Sequence, residues 1–115
     1  MWIVEFYTNR NGNCPARSFI LKQQKHARTL ILEMVEKLGE LGYQLRFPHA
    51  KQIGDGLYEL RIREFKNRFR LLYFFYDQDK IVITHGLQKK QGELEQADID
   101  KAKAYRADYI DQKQK

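Results

Sequence analysis

The amino-acid sequence predicts an α+β fold in which helices pack against an antiparallel sheet, and three observations carry that prediction. Leu30, Ile31, Met34, Val35, Leu38 and Leu41 recur at helical spacing and form a wide apolar stripe. Between residues 57 and 87, three runs of strand character follow one another with short connections, the pattern of an antiparallel meander. A last segment carries Leu94, Ile99, Ala102, Tyr105, Tyr109 and Ile110 at spacings that suit a helix lying on the sheet.

Taken in order, Ile3–Tyr7 alternates apolar and polar residues and reads as a first strand. Asn9, Asn11, Gly12 and Asn13 supply turn chemistry. A helix follows from about Pro15, a residue suited to the first helical position, and buries Phe19 with Ile20 or Leu21. The striped helix spans about Lys25 to Leu41, with Gly42 as its terminator. From Tyr43 to Gly56, the residues Pro48, Gly54 and Gly56 predict a loop. In Leu57–Arg63, Tyr58, Leu60 and Ile62 face one way while Glu59, Arg61 and Arg63 face the other. Phe69–Tyr76 is apolar on both parities, as in a central strand. The turn Asp77-Gln78-Asp79-Lys80 leads to a strand from Ile81 to about Leu87, and the last helix fades into the polar tail Asp111–Lys115. The expected architecture is an N-terminal strand and two helices, a three-stranded antiparallel meander, and a C-terminal helix packed on the sheet, in a single domain over residues 1–115.

Composition narrows the function classes. A chain of 115 residues buries roughly two-thirds of its unfolded surface, enough for a core without disulfide or metal staples. Cys14 is the only cysteine, which excludes an internal disulfide and a cysteine-based zinc site, and its place in Asn13-Cys14-Pro15 reads as structural. Met1–Phe6 lacks a basic leader and carries Glu5, so no signal peptide is expected there. No apolar run approaches the length of a membrane span. The net charge is +6, which favours an acidic partner, and +4 of it falls between residues 61 and 70.

That concentration selects the candidate site. Arg61 and Arg63 share one strand face, and Arg68 and Arg70 share a parity on the next strand, so in an antiparallel pair the four side chains converge. Guanidinium forks match phosphate oxygens, which makes the pair a phosphodiester clamp, with Lys66 at the turn. Arg46, Lys51, Lys89 and Lys90 extend the basic surface. Phe65, at the same turn, is placed to stack on an unpaired base, whereas Tyr58, Phe69 and Tyr73 suit the core. Glycine-rich phosphate loops, paired carboxylates and His-x-x-x-His spacing are all missing, so no metal and no cofactor is expected. RNA supplies its own nucleophile, the 2′-hydroxyl, and a protein that aligns it needs little beyond cations and a proton acceptor. His26, His49 and His85 are the histidines from which such an acceptor would come.

Three runs together resemble a known family: Gly54-Asp55-Gly56-Leu57-Tyr58-Glu59-Leu60-Arg61-Ile62, then Arg68-Phe69-Arg70-Leu71-Leu72-Tyr73-Phe74, then His85-Gly86-Leu87-Gln88-Lys89-Lys90. With Glu5-Phe6-Tyr7 and Asn11–Pro15, their order resembles the phage-derived HigB branch of the RelE/ParE toxin superfamily over nearly the whole chain. The resemblance implies a RelE-like fold and a cytoplasmic type II toxin, neutralised by a HigA-like helix-turn-helix antitoxin. It implies metal-independent cleavage of mRNA on the ribosome, by 2′-hydroxyl attack that leaves a cyclic phosphate. DNA would be met only through the antitoxin complex. By motif position it implies that Arg61 is a basic residue of the active strand, that Arg70 contacts the scissile phosphate, and that Lys89 and Lys90 are the basic pair after the last strand. The reading of the basic strand pair adds Arg63 to the catalytic clamp, and gives RNA contacts to Lys66, Arg68 and Phe65 beside Lys89 and Lys90. Where family members carry a Thr-x-Lys-Thr-Pro-like segment, this chain has Gln91-Gly92-Glu93-Leu94-Glu95, and it has no clear equivalent of RelE's C-terminal tyrosine. The general base is left between His49 and His85. A ParE-like gyrase inhibitor and a catalytically inactive RNA-binding or autoregulatory module are the alternatives on the same fold.

Overall fold

The computed structural model describes residues 1–89 and 92–114. The elements run β1 (Ile3–Phe6), α1 (Pro15–Leu21), α2 (Lys25–Leu41), a short 3-10 turn (Gly42–Gln44), β2 (Ala50–Gly54), β3 (Leu57–Glu64), β4 (Asn67–Tyr76), β5 (Lys80–Gln88) and α3 (Gln96–Lys113). The fold class is α+β, with one five-stranded sheet in the order β1-β5-β4-β3-β2. β2 through β5 form an antiparallel meander, and β1 joins its far edge parallel to β5. Two features differ from the expectation. The meander has four strands rather than three, because β2 lies inside the segment expected to be a loop. The helices also form two layers, with α1 and α2 on one sheet face and α3 on the other.

The first layer follows from the helical stripe. Pro15 opens α1, where its missing N–H is not needed, and Ile20 turns inward while Leu21 stays exposed. In α2, Ala27, Ile31 and Leu38 are buried against Leu60, Ile62, Phe69, Leu71 and Tyr73 of the sheet. Gly42 ends α2 at φ +54°, and the Trp2 indole lies so close that a Cβ there would sit 2.0 Å from its Nε1. Gly86 likewise admits Phe19: a Cβ would fall 2.4 Å from that ring and 2.6 Å from Leu71.

β4 is buried on both faces, as its unbroken apolar run requires. Its even positions, Leu72 and Phe74, pack with Leu57 and Val82 beneath α3. α3 has a polar sequence and buries chiefly Ala102 and Tyr109. Polar ties supplement this thin apolar contact. Tyr7 donates to Asp108 at 2.6 Å and stacks on Tyr105, while Tyr109 hydrogen-bonds Glu5. Burial and the Asp108 carboxylate push the Tyr7 hydroxyl up to about 12, so it remains a donor. Among the described residues, no helix is long and apolar enough to cross a membrane.

Candidate nucleic-acid interface

The β3–β4 register sets the site. Arg61 stands directly opposite Arg70, and Arg63 opposite Arg68, so the four guanidinium groups occupy consecutive rungs on one sheet face. It is the face that carries Leu57, Leu72 and Phe74 toward α3, but the arginine rungs lie at the hairpin end of the ladder. The hairpin closes through Phe65 and Lys66, with Phe65 at φ +54° and 81% exposed. Three side-chain contacts brace this tip. His26 Nδ1 lies 2.7 Å from Glu64, Asn67 donates to Glu64 at 3.4 Å, and Gln88 donates to Asn67 at 3.1 Å. Arg63 is exposed, with its Nε donating to the Phe65 carbonyl at 3.2 Å.

Arg70 is not on the open surface. It and Glu59 are each 3% exposed, and its guanidinium donates to the Glu59 carboxylate at 3.1 Å. The other oxygen of Glu59 lies 3.6 Å from Arg61 Nε. One buried carboxylate therefore holds two arginines from adjacent strands. An arginine fork has donors to spare, so this pairing orients Arg70 without exhausting its hydrogen bonds.

Beside these rungs runs a groove of about 640 Å³. Its lining includes Arg61, Arg63, Arg68 and Arg70 of the hairpin and Leu30, Glu33, Met34 and Lys37 of α2. Phe47, Pro48 and His49, ahead of β2, contribute to the lining as well. The His49 backbone is fixed: its carbonyl accepts from Arg61 N at 2.8 Å, which extends the β2–β3 ladder by one residue. The His49 side chain is exposed at the groove. Arg61 also places its guanidinium 5.4 Å from the centroid of the Phe47 ring.

The remaining expected residues are placed as follows. Lys66 is exposed at the hairpin tip. Lys89 donates its backbone N–H to Arg68 at 2.9 Å, so it flanks the arginine rungs, and its ammonium lies 3.7 Å from Glu95. Lys90 lies outside the described residues. His85 is 5% exposed, faces Tyr105 of α3, and does not line the groove. Burial and the charge of Lys101 push its imidazole down to about 4, against a smaller opposing effect of Asp98. Among the described residues, no cluster of His, Cys, Asp and Glu side chains has the makings of a metal site.

Three contributors escaped the sequence reading. Glu59 was assigned a face but no partner, although its parity with Arg61 and its proximity to Arg70 in a hairpin were available signals. Phe47 sits in the segment from Tyr43 to Gly56, where the sequence predicts a loop and only Arg46, His49 and Lys51 stand out as site candidates. Glu93 reaches back from the segment before α3 to Lys51 at 2.9 Å, and that ammonium holds its carboxyl below the usual range. The charges of Arg70 and Arg61 act on Glu93 in the same direction, after the larger effect of Lys51.

Among curated proteins, none matches this chain. A family model described as "Phage derived protein Gp49-like (DUF891)" matches residues 18–106, a stretch holding α2, every strand of the meander and most of α3. The chain thus belongs to the Gp49-like family of phage-derived proteins, a family associated with toxin–antitoxin systems.

Proposed function

We propose that the protein is the toxin of a type II pair and acts as a metal-independent, ribosome-dependent mRNA endoribonuclease in the cytoplasm, restrained by a HigA-like helix-turn-helix antitoxin. The observation that carries this reading is the pairing of Arg61 with Arg70 and Arg63 with Arg68 along one groove. Arginines of two rungs, of which Arg61 and Arg70 are held by Glu59, share a groove lining with the apolar Leu30 and Met34, a combination that suits a phosphodiester with an attached base. Arg61, Arg63 and Arg70 hold the scissile phosphate and neutralise the charge that develops on it. Lys66, Arg68, Lys89 and Lys90 hold the flanking strand or ribosomal RNA, with Phe65 at the tip. His49, exposed at the groove, takes the 2′-hydroxyl proton. The freed oxygen attacks phosphorus, the bond to the 5′-oxygen breaks, that oxygen takes a proton from water while His49 returns its own to solvent, and the products are a cyclic phosphate and a 5′-hydroxyl. His85 is out of reach of the substrate, because its imidazole faces α3 and is absent from the groove lining.

The test is to add pure protein to a defined message, with and without ribosomes, and map new 5′ ends by primer extension. Wild type should cut, and Arg63→Ala should cut about 10²- to 10³-fold more slowly, as for a lost transition-state donor. Intact transcripts together with DNA breakage would sink the reading in favour of a gyrase inhibitor.

A further inference from the structure

We infer that Phe47 is the stacking platform for a nucleobase of a single-stranded RNA, one nucleotide of which is shared between this ring and the arginine rungs. The inference rests on the reading of the groove as an RNA site and adds the residue that receives the base.

Phe47 is 70% exposed and lines the groove, so the fold gains little from its ring. A lone exposed aromatic is unremarkable; the surroundings of this one are not. Arg61 stands over the ring at cation–π distance and is also held by Glu59 on the rung it shares with Arg70. Arg61 therefore joins a phosphate-binding step to an aromatic face through a single side chain. Leu30 and Met34 provide an apolar wall in the same groove, and the cavity has room for a nucleotide. An apolar peptide would suit the wall and the ring but would offer no anion to the guanidinium groups of Arg63 and Arg68. A nucleotide strand satisfies both. Phe65 cannot replace Phe47 in this role, since it stands at the hairpin tip beside His26 and does not line the groove.

The experiment uses the full chain and 2′-O-methyl RNA hexamers, which lack the nucleophile and stay intact, with a single abasic position walked along the strand. Loss of one stacked base corresponds to roughly 5- to 150-fold in affinity. Wild type should show such a loss at one abasic position. Phe47→Leu should bind the intact hexamer weaker by a similar factor and become indifferent to that position, and Phe47→Trp should restore both. The inference is overturned if Phe47→Leu binds like wild type, or weakens intact and abasic strands alike. If Arg63→Ala weakens binding while Phe47→Leu does not, stacking alone falls and the RNA-site reading survives. If wild type binds none of the hexamers, both fall together.

Discussion

At the scale of single residues, the Glu59–Arg70 pair has a consequence for how the site is probed. Each side chain is almost wholly enclosed, so deleting one strands the charge of the other. Such a break costs about 3–5 kcal/mol, a large part of the stability of a small domain. Arg70→Ala and Glu59→Ala should both lower the urea midpoint steeply, and loss of activity in either is then inseparable from loss of fold. Arg63, which is exposed, should be replaceable by alanine with a change within about 0.5 kcal/mol. A midpoint for Arg70→Ala equal to wild type would show that the buried pair contributes nothing net. This coupling was only half legible in the sequence. Alternation places Glu59, Arg61 and Arg63 on one face, but parity does not say which rungs of that face are enclosed. Only the packed structure shows Arg70 enclosed and Arg63 exposed.

At the scale of elements, the β3–β4 hairpin spends stability at its tip. Phe65 holds φ at +54°, a region costly for a bulky side chain, and its ring is left in solvent. Glycine there should relieve strain, so Phe65→Gly is expected to raise the melting temperature while weakening RNA or ribosome binding. A rise in stability with binding unchanged would remove Phe65 from the interface. The elements themselves were readable in proportion to their periodicity. The stripe of α2 and the alternation of β3 predicted their spans closely, since burial on one face leaves a regular imprint. β2 left none. Its five residues hold only Ala50 and Ile53 as apolar side chains, and a register shift between Gln52 and Gly54 breaks their alternation. Hydrogen bonding to β3 makes this segment a strand, and that is a tertiary cause invisible to a local pattern. The parallel pairing of β1 with β5 is non-local for the same reason.

At the scale of the whole molecule, the second sheet face is divided between two tasks, with arginine rungs at the hairpin end and α3 over the rest. α3 has little apolar surface of its own, so its docking depends on a few buried contacts, of which His85 against Tyr105 is one. Thr84 Oγ1 lies 3.1 Å from His85 Nδ1, and Nε2 is buried without a partner. A proton added at Nε2 would create a buried cation near Lys101, with Asp98 offering only partial compensation. The folded imidazole therefore titrates at about 4, below its ordinary value of 6.5. As pH falls below 6.5 the unfolded chain binds the proton first, so stability is fully present above that value and is lost progressively down through about 4. A shift of this size corresponds to about 3 kcal/mol across the window. Asp108, also held low, adds its own acid lability, but equally in wild type and in a His85 variant. The difference between the two proteins isolates the imidazole. His85→Phe keeps an aromatic ring against Tyr105 and cannot titrate, so its urea-unfolding free energy should fall less than that of wild type between pH 7 and pH 4.5. Parallel pH profiles for the two proteins would mean that α3 releases the imidazole to solvent before the proton arrives, and that the helix is not clamped over β5 as described.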